Sequence, residues 1–150
     1  MSFKILKIKE KRFELSTIAF ERDQLILSSC IDLKFKPDDK EVEIFFHCAY
    51  GAEEDKEFRQ IAHIDTEMTF LKEDFKDTKT FKNKFLKSEE LKSMIGFLIS
   101  ATRGMLFIRT KGHEVNEFFL PIMSPGDLVK DYLKAQTSKE VTKQQKRRSK

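Results

Sequence analysis

Tryptophan is absent from this 150-residue chain, cysteine occurs twice, proline three times and glycine five times. Two cysteines, Cys30 and Cys48, cannot build a disulfide framework and form no Cys-x-x-Cys spacing, so a reduced, cytoplasmic setting is expected. There is no Gly-rich phosphate loop and no His-Glu-x-x-His pair. No apolar run approaches the roughly 20 residues of a membrane span, so no membrane insertion is expected. The start, Met1-Ser2-Phe3-Lys4-Ile5, alternates apolar and charged residues and does not read as a signal peptide.

The residues that could carry chemistry are scattered. His47 and Cys48 are neighbours on a strand and point to opposite faces, so they cannot chelate one metal together. His63 is expected to lie several residues out of register with His47, and His113, beside Gly112, reads as a solvated turn residue. Carboxylates alternate along strand faces or cluster in loops, whereas a catalytic acid needs burial to shift its proton affinity. Exposed acids, no metal, no cofactor and no catalysis are the expectation.

What is abundant is phenylalanine, fifteen of them, and charge, at 36% of residues. The net charge of +4 is unevenly placed. Residues 139–150 hold six basic residues and one acid, a net +5, which leaves −1 for the rest. With little apolar content, residues 136–150 are expected to be a disordered basic tail on a domain spanning 1–135.

Four segments carry a strand pattern. Phe3 to Leu15 is strand-like but slips register in its middle, which suggests a bulge. From Gln24 to Lys36, Leu25, Leu27, Ser29, Ile31, Leu33 and Phe35 share one face, the period of a half-buried strand. Pro37-Asp38-Asp39-Lys40 is a turn. Val42, Ile44, Phe46, Cys48 and Tyr50 alternate along the third strand, Gly51 to Asp55 is a loop, and Lys56 to Lys72 is a fourth strand with Phe58, Ala62, Ile64, Met68 and Phe70 on one side. Short connections imply an antiparallel meander. Residues 73–87 read as a charged loop with some helical turn.

Ser88 to Lys111 is the main helix, with Ser88 as N-cap, Glu89 and Glu90 in the first turn, and Gly112 at the left-handed end. Leu91, Ile95, Leu98, Thr102, Met105 and Leu106 form one apolar stripe, and Met94, Phe97, Ala101, Gly104 and Ile108 an adjoining one. A helix on one sheet needs a single stripe. The second is expected to be an oligomer interface.

An apolar stretch follows, Phe118-Phe119-Leu120-Pro121-Ile122-Met123, and then a short amphipathic helix opened by Ser124-Pro125. Six consecutive apolar or proline residues are more than a connector requires. With Leu25 and Leu27 as floor, Phe118, Phe119, Leu120, Ile122, Met123, Leu128 and Tyr132 are the residues expected to line a client-binding groove. The fold class expected is α+β: a four-stranded antiparallel sheet with a long helix and a short C-terminal helix on one face.

This order of elements resembles that of the SecB-type protein-export chaperones. The most specific part runs from Ala101 through Lys111-Gly112 to Leu120-Pro121-Ile122 and then Leu128, Tyr132 and Leu133. The resemblance implies protomers pairing into a dimer of dimers, with apolar grooves that hold unfolded polypeptides without ATP. Well-studied members are strongly acidic and touch the translocation ATPase through that acidity, whereas this body carries only −1. A SecB-like branch serving toxin–antitoxin systems, with an antitoxin as client, is the variant implied beside export. Two other classes stand next to this reading. One is a nucleic-acid-binding accessory protein acting through Lys139 to Lys150, although that tail has no aromatic interleaving. The other is a scaffold protein with one fixed partner.

Overall fold

Alternating apolar residues at the period of a pleated strand become four long strands: β1 (Phe3–Leu15), β2 (Leu25–Lys36), β3 (Glu41–Glu54) and β4 (Glu57–Lys72). Helices α1 (Lys79–Leu86), α2 (Glu89–Arg109) and α3 (Pro125–Arg148) follow. The computed structural model describes residues 3–17, 19–117 and 120–148, with side chains as far as 140. All strand pairs are antiparallel, but the order across the sheet is β1-β4-β3-β2, not the sequential order of a plain meander. Two tight turns join β2, β3 and β4, and β1 lies beside β4, a Greek-key arrangement run in reverse chain order. The link from β1 to β2 therefore crosses three strand gaps, about 14 Å.

The slip expected in β1 is present as register shifts at Ile5/Lys7 and Glu10/Arg12. β3 runs four residues beyond Tyr50, the last residue before the expected loop, and the turn is the pair Asp55-Lys56, both at positive φ (53° and 65°). Two successive left-handed residues match the right-handed twist of the flanking strands. A bulge at Tyr50/Gly51 displaces Phe58 from the core side where alternation placed it, and its ring lies over the Gly51 backbone. A Cβ on Gly51 would sit 2.3 Å from that ring and 2.6 Å from the Arg59 carbonyl oxygen. Gly51→Ala should therefore cost about 1–3 kcal/mol by overpacking. A urea titration that left the midpoint unchanged would refute the close packing at this bulge.

One sheet face meets α2. Val42, Ile44, Phe46 and Cys48 of β3, and Ile64, Met68 and Phe70 of β4, are buried against Leu91, Met94, Ile95, Leu98 and Leu106. Thr102 donates its hydroxyl to the Leu98 carbonyl at 2.7 Å, and Thr66 of β4 meets it at 2.6 Å, a polar pin inside the core. Ser88 caps α2 by accepting from Leu91 N at 3.2 Å, and Arg109 closes the far end with a two-pronged contact to Glu10 of β1 at 2.8 and 3.0 Å. Phenylalanine supplies the other end of the core. Phe35, Phe70, Phe75, Phe81 and Phe85 sit with ring centroids 5.1–6.2 Å apart, so the stretch 73–87 is ordered by aromatic packing. Thr78 caps α1 there by accepting from Phe81 N.

By length and composition α2 is apolar enough to cross a membrane, although it holds no uninterrupted apolar run of that length. Its Gly, Ser and Thr residues break the run without adding charge, and one side of it is core. α3 does not stop near residue 135 but continues to Arg148, through the stretch expected to be disordered. No glycine or proline follows Gly126, and Ala, Gln, Lys, Glu and Arg are all good helix formers.

Candidate functional site

α3 packs against β2, with Tyr132 close enough to feel the charge of Asp32, and Leu25, Leu27, Tyr132 and Leu133 are each half-buried against the core. Leu27 is paired in the sheet with Tyr50 of β3, whose side chain is buried on the same face. Burial pushes the Tyr50 phenol upward, Cys48 adds to the shift, and the charge of Arg103 opposes it. Burial also raises Tyr132, with Asp32 adding to it. Met123 is half-buried at the margin, and Ile122 is 99% exposed. The result is a band of partly covered apolar residues on β2, α3 and the connector.

Not every residue assigned to the lining offers surface. Leu120 and Leu128 are buried at 3% and 7% exposure, so they hold the wall onto the core. Strict alternation would put Leu120 and Ile122 on one side, so the connector is not a regular extended strand here. Phe118 and Phe119 lie outside the described residues. On the α2 stripe, Met94 is fully buried in the protomer and cannot form an interface, because its side chain is turned into the sheet. Phe97 and Ile108 are 55% and 72% exposed, Gly104 is exposed and Ala101 half-buried.

Two features of this region had only weak signals in the sequence. Phe20, a single aromatic in the polar link between β1 and β2, packs against the core. With Gln24, Ala52, Arg59 and Ile61 it lines a cavity of about 340 Å³ next to the β2 floor. Arg103 reaches from α2 to the connector, donating from Nε to the Leu120 carbonyl at 3.1 Å and from its terminal nitrogen to the Pro121 carbonyl at 3.2 Å.

The opposite sheet face is polar, and Glu43 and Glu67 are buried there, contrary to expectation; Glu90 is buried as well, in the first turn of α2. Each survives burial through lysines: Lys7, Lys9 and Lys11 surround Glu67, Lys36 meets Glu43, and Lys72 lies 3.1 Å from Glu90. Burial pushes the Glu67 carboxyl upward, but hydrogen bonding to Lys11 and the three lysine charges outweigh it and hold it below its ordinary value. The histidines also differ from expectation. His47 is paired with Asp65, which places His63 only two residues along β4. His47 Nδ1 and His63 Nε2 both meet Asp65 Oδ1, at 2.8 and 2.6 Å. Among the described residues no three His, Cys, Asp or Glu side chains come together as a metal site. His113 is not a free turn residue. Its Nδ1 accepts from Val115 N at 3.1 Å, so Nε2 carries the proton donated to the Ser16 carbonyl at 2.9 Å.

The fold is similar to that of the SecB-like chaperone of Mycobacterium tuberculosis solved in complex with a ChAD peptide from the HigA1 antitoxin. The TM-score is 0.54 at 13% sequence identity, covering 81% of this chain and 91% of that one. No family model matches the chain, and no curated protein matches it.

Proposed function

We propose that this protein is an ATP-independent holdase chaperone that binds unfolded polypeptide segments in the apolar band between β2, α3 and the connector. The single observation that carries the reading is that band, with half-buried Leu25, Leu27, Met123, Tyr132 and Leu133 and a fully exposed Ile122. The site is apolar and supported by an orienting framework, without buried acids or nucleophiles arranged over it, so binding without catalysis is the chemistry it supports. Apolar area and pleated edges accept many client sequences.

An antitoxin-type client is favoured over export. The structural neighbour holds an antitoxin peptide, and the acids of the open sheet face are not free here to meet a basic partner, being engaged by Lys7, Lys9, Lys11 and Lys36. A self-associated protein, a dimer of dimers working in the cytoplasm, completes the proposal. The exposed α2 side is its assembly surface.

Ile122 gives the cleanest test because it contributes nothing to the core. Ile122→Asp should leave stability within about 0.5 kcal/mol of wild type. Burying an aliphatic side chain is worth about 1.5–3 kcal/mol, so affinity for an unfolded client should fall about tenfold or more. Suppression of aggregation of a slowly refolding protein reads this out directly. Wild-type protein that suppresses no aggregation would refute the reading.

A further inference from the structure

We propose that Arg103 is the positioning residue of the groove: its guanidinium, forked onto two consecutive connector carbonyls, fixes the wall that presents Ile122 to a client. The proposal rests on the polypeptide-binding reading above and assigns one side chain the task of holding that site in shape.

The connector is poorly held by its own backbone. Pro121 and Pro125 have no N–H to give. Among the described residues, segment 120–123 takes part in no hydrogen bonds except the two from Arg103. Its other anchors are apolar, the buried Leu120 side chain and the half-buried Met123. Leu120 fixes one point but leaves the peptide planes beyond it free to turn. A fork onto the carbonyls of Leu120 and Pro121 orients both planes, and so sets the direction in which the next side chain, Ile122, leaves the chain.

Arg103 is also well placed for this task. It stands on α2, a 21-residue helix pinned by Thr66 and capped at Ser88, so its backbone is rigid. Its charge is felt at Tyr50, the strand neighbour of Leu27 in the floor. A single side chain thus links floor, helix and wall. At about 100° per residue it points about 120° away from Phe97, so its connector contact leaves the exposed apolar side of α2 untouched. A lysine could not substitute. An ammonium is a point donor on a flexible stem and cannot hold two carbonyls in one plane.

The consequence for binding is preorganisation. A wall held in one arrangement loses little freedom when a client docks, whereas a loose wall must be ordered at that moment. The test compares wild type with Arg103→Met, which keeps the apolar stem, and Arg103→Lys, which keeps the charge; circular dichroism confirms that each folds. Backbone ¹⁵N order parameters are followed at Ile122 and Met123, and affinity is measured for a permanently unfolded probe, reduced and carboxymethylated lactalbumin. Expected are order parameters that fall from about 0.85 to below about 0.6 in both variants, and binding about tenfold weaker. Adding Ile122→Asp to Arg103→Met should weaken binding by less than the product of the two separate effects, because Arg103 acts through the segment that carries Ile122.

Unchanged order parameters in the variants overturn the proposal, and so do lowered order parameters with unchanged affinity. Independent effects of the two substitutions overturn it as well, because they would place Arg103 outside the groove's wall. A wild type that does not bind the probe removes the groove reading itself. That failure is distinct from one in which wild type binds and the Arg103 variants bind equally well.

Discussion

Replacing Lys72 with methionine is expected to cost the fold about 3–5 kcal/mol, the largest loss predicted for any single side chain of this protein. Lys72 is 3% exposed at the end of β4, and its ammonium lies 3.1 Å from Glu90 and 2.6 Å from Asp74. Glu90 is itself buried, in the first turn of α2, and its Oε1 has no hydrogen-bond partner among the described residues. Removing Lys72 strands that carboxylate. Asp74 is exposed and returns to water at little cost. The double variant Lys72→Met/Glu90→Leu removes both buried charges and should recover most of the loss. It should fall short by about 0.3–1 kcal/mol, because Glu90 also favours the positive end of the helix.

The pH dependence follows from Lys72. Burial pushes its ammonium downward, but the hydrogen bonds to Asp74 and Glu90 outweigh this and raise it above its ordinary value. A group raised on folding contributes in full below its unfolded pKa, about 10.4 for lysine, and loses the contribution as pH climbs through the folded value. Wild-type stability should therefore fall more steeply above about pH 10.4 than that of the double variant. Urea titrations across that range measure both effects. A single variant that lost under about 1 kcal/mol would show that water reaches Glu90 and that the pair is not buried in solution.

The buried pair also marks the limit of what the sequence discloses. Alternation along β2 and β3 fixes which residues face the core, because a pleated strand leaves only two faces. The N-cap at Ser88 and the break at Gly112 were legible for the same reason, since few residues suit those positions. Strand order was not. Whether β1 lies beside β2 or β4 depends on a link that crosses the sheet and carries no local signal. The buried acids were hidden likewise. Glu67 is surrounded by Lys7, Lys9 and Lys11 only once β1 is laid beside β4. The groove was partly legible. The surplus of apolar residues in the connector was its signal, whereas nothing local in the sequence says which strand α3 lies against. The division between Leu120, buried, and Ile122, exposed, depends on Arg103, whose reach to the connector no sequence spacing reveals.

Charging the exposed side of α2 should break the protein into smaller, still folded particles. Phe97, Ala101, Gly104 and Ile108 fall within about 60° of one another around the helix. Phe97 and Ile108 are 55% and 72% exposed, and no acidic or basic residue stands among them. Gly104 supplies a separate argument. A Cβ there would meet no heavy atom within 4 Å, so nothing in the protomer requires glycine. Yet glycine inside a helix costs about 0.5–1 kcal/mol relative to alanine. A second copy approaching closely at Gly104 would account for that cost. Gly104→Glu and Ile108→Glu each place an unpaired charge in such a contact, at about 3–5 kcal/mol, which corresponds to subunit association at least 100-fold weaker. Sedimentation velocity over a range of concentrations should show wild type associated and both variants dissociated, with unchanged circular dichroism. Gly104→Ala separates the two accounts of that glycine. If α2 is solvated, alanine should stabilise the protein by about 0.5–1 kcal/mol without changing its mass. If a partner helix lies against it, the methyl group should weaken association even as it strengthens the isolated helix. A wild type that sediments as a monomer at tens of micromolar, together with a simply stabilised Gly104→Ala, would overturn the assembly surface.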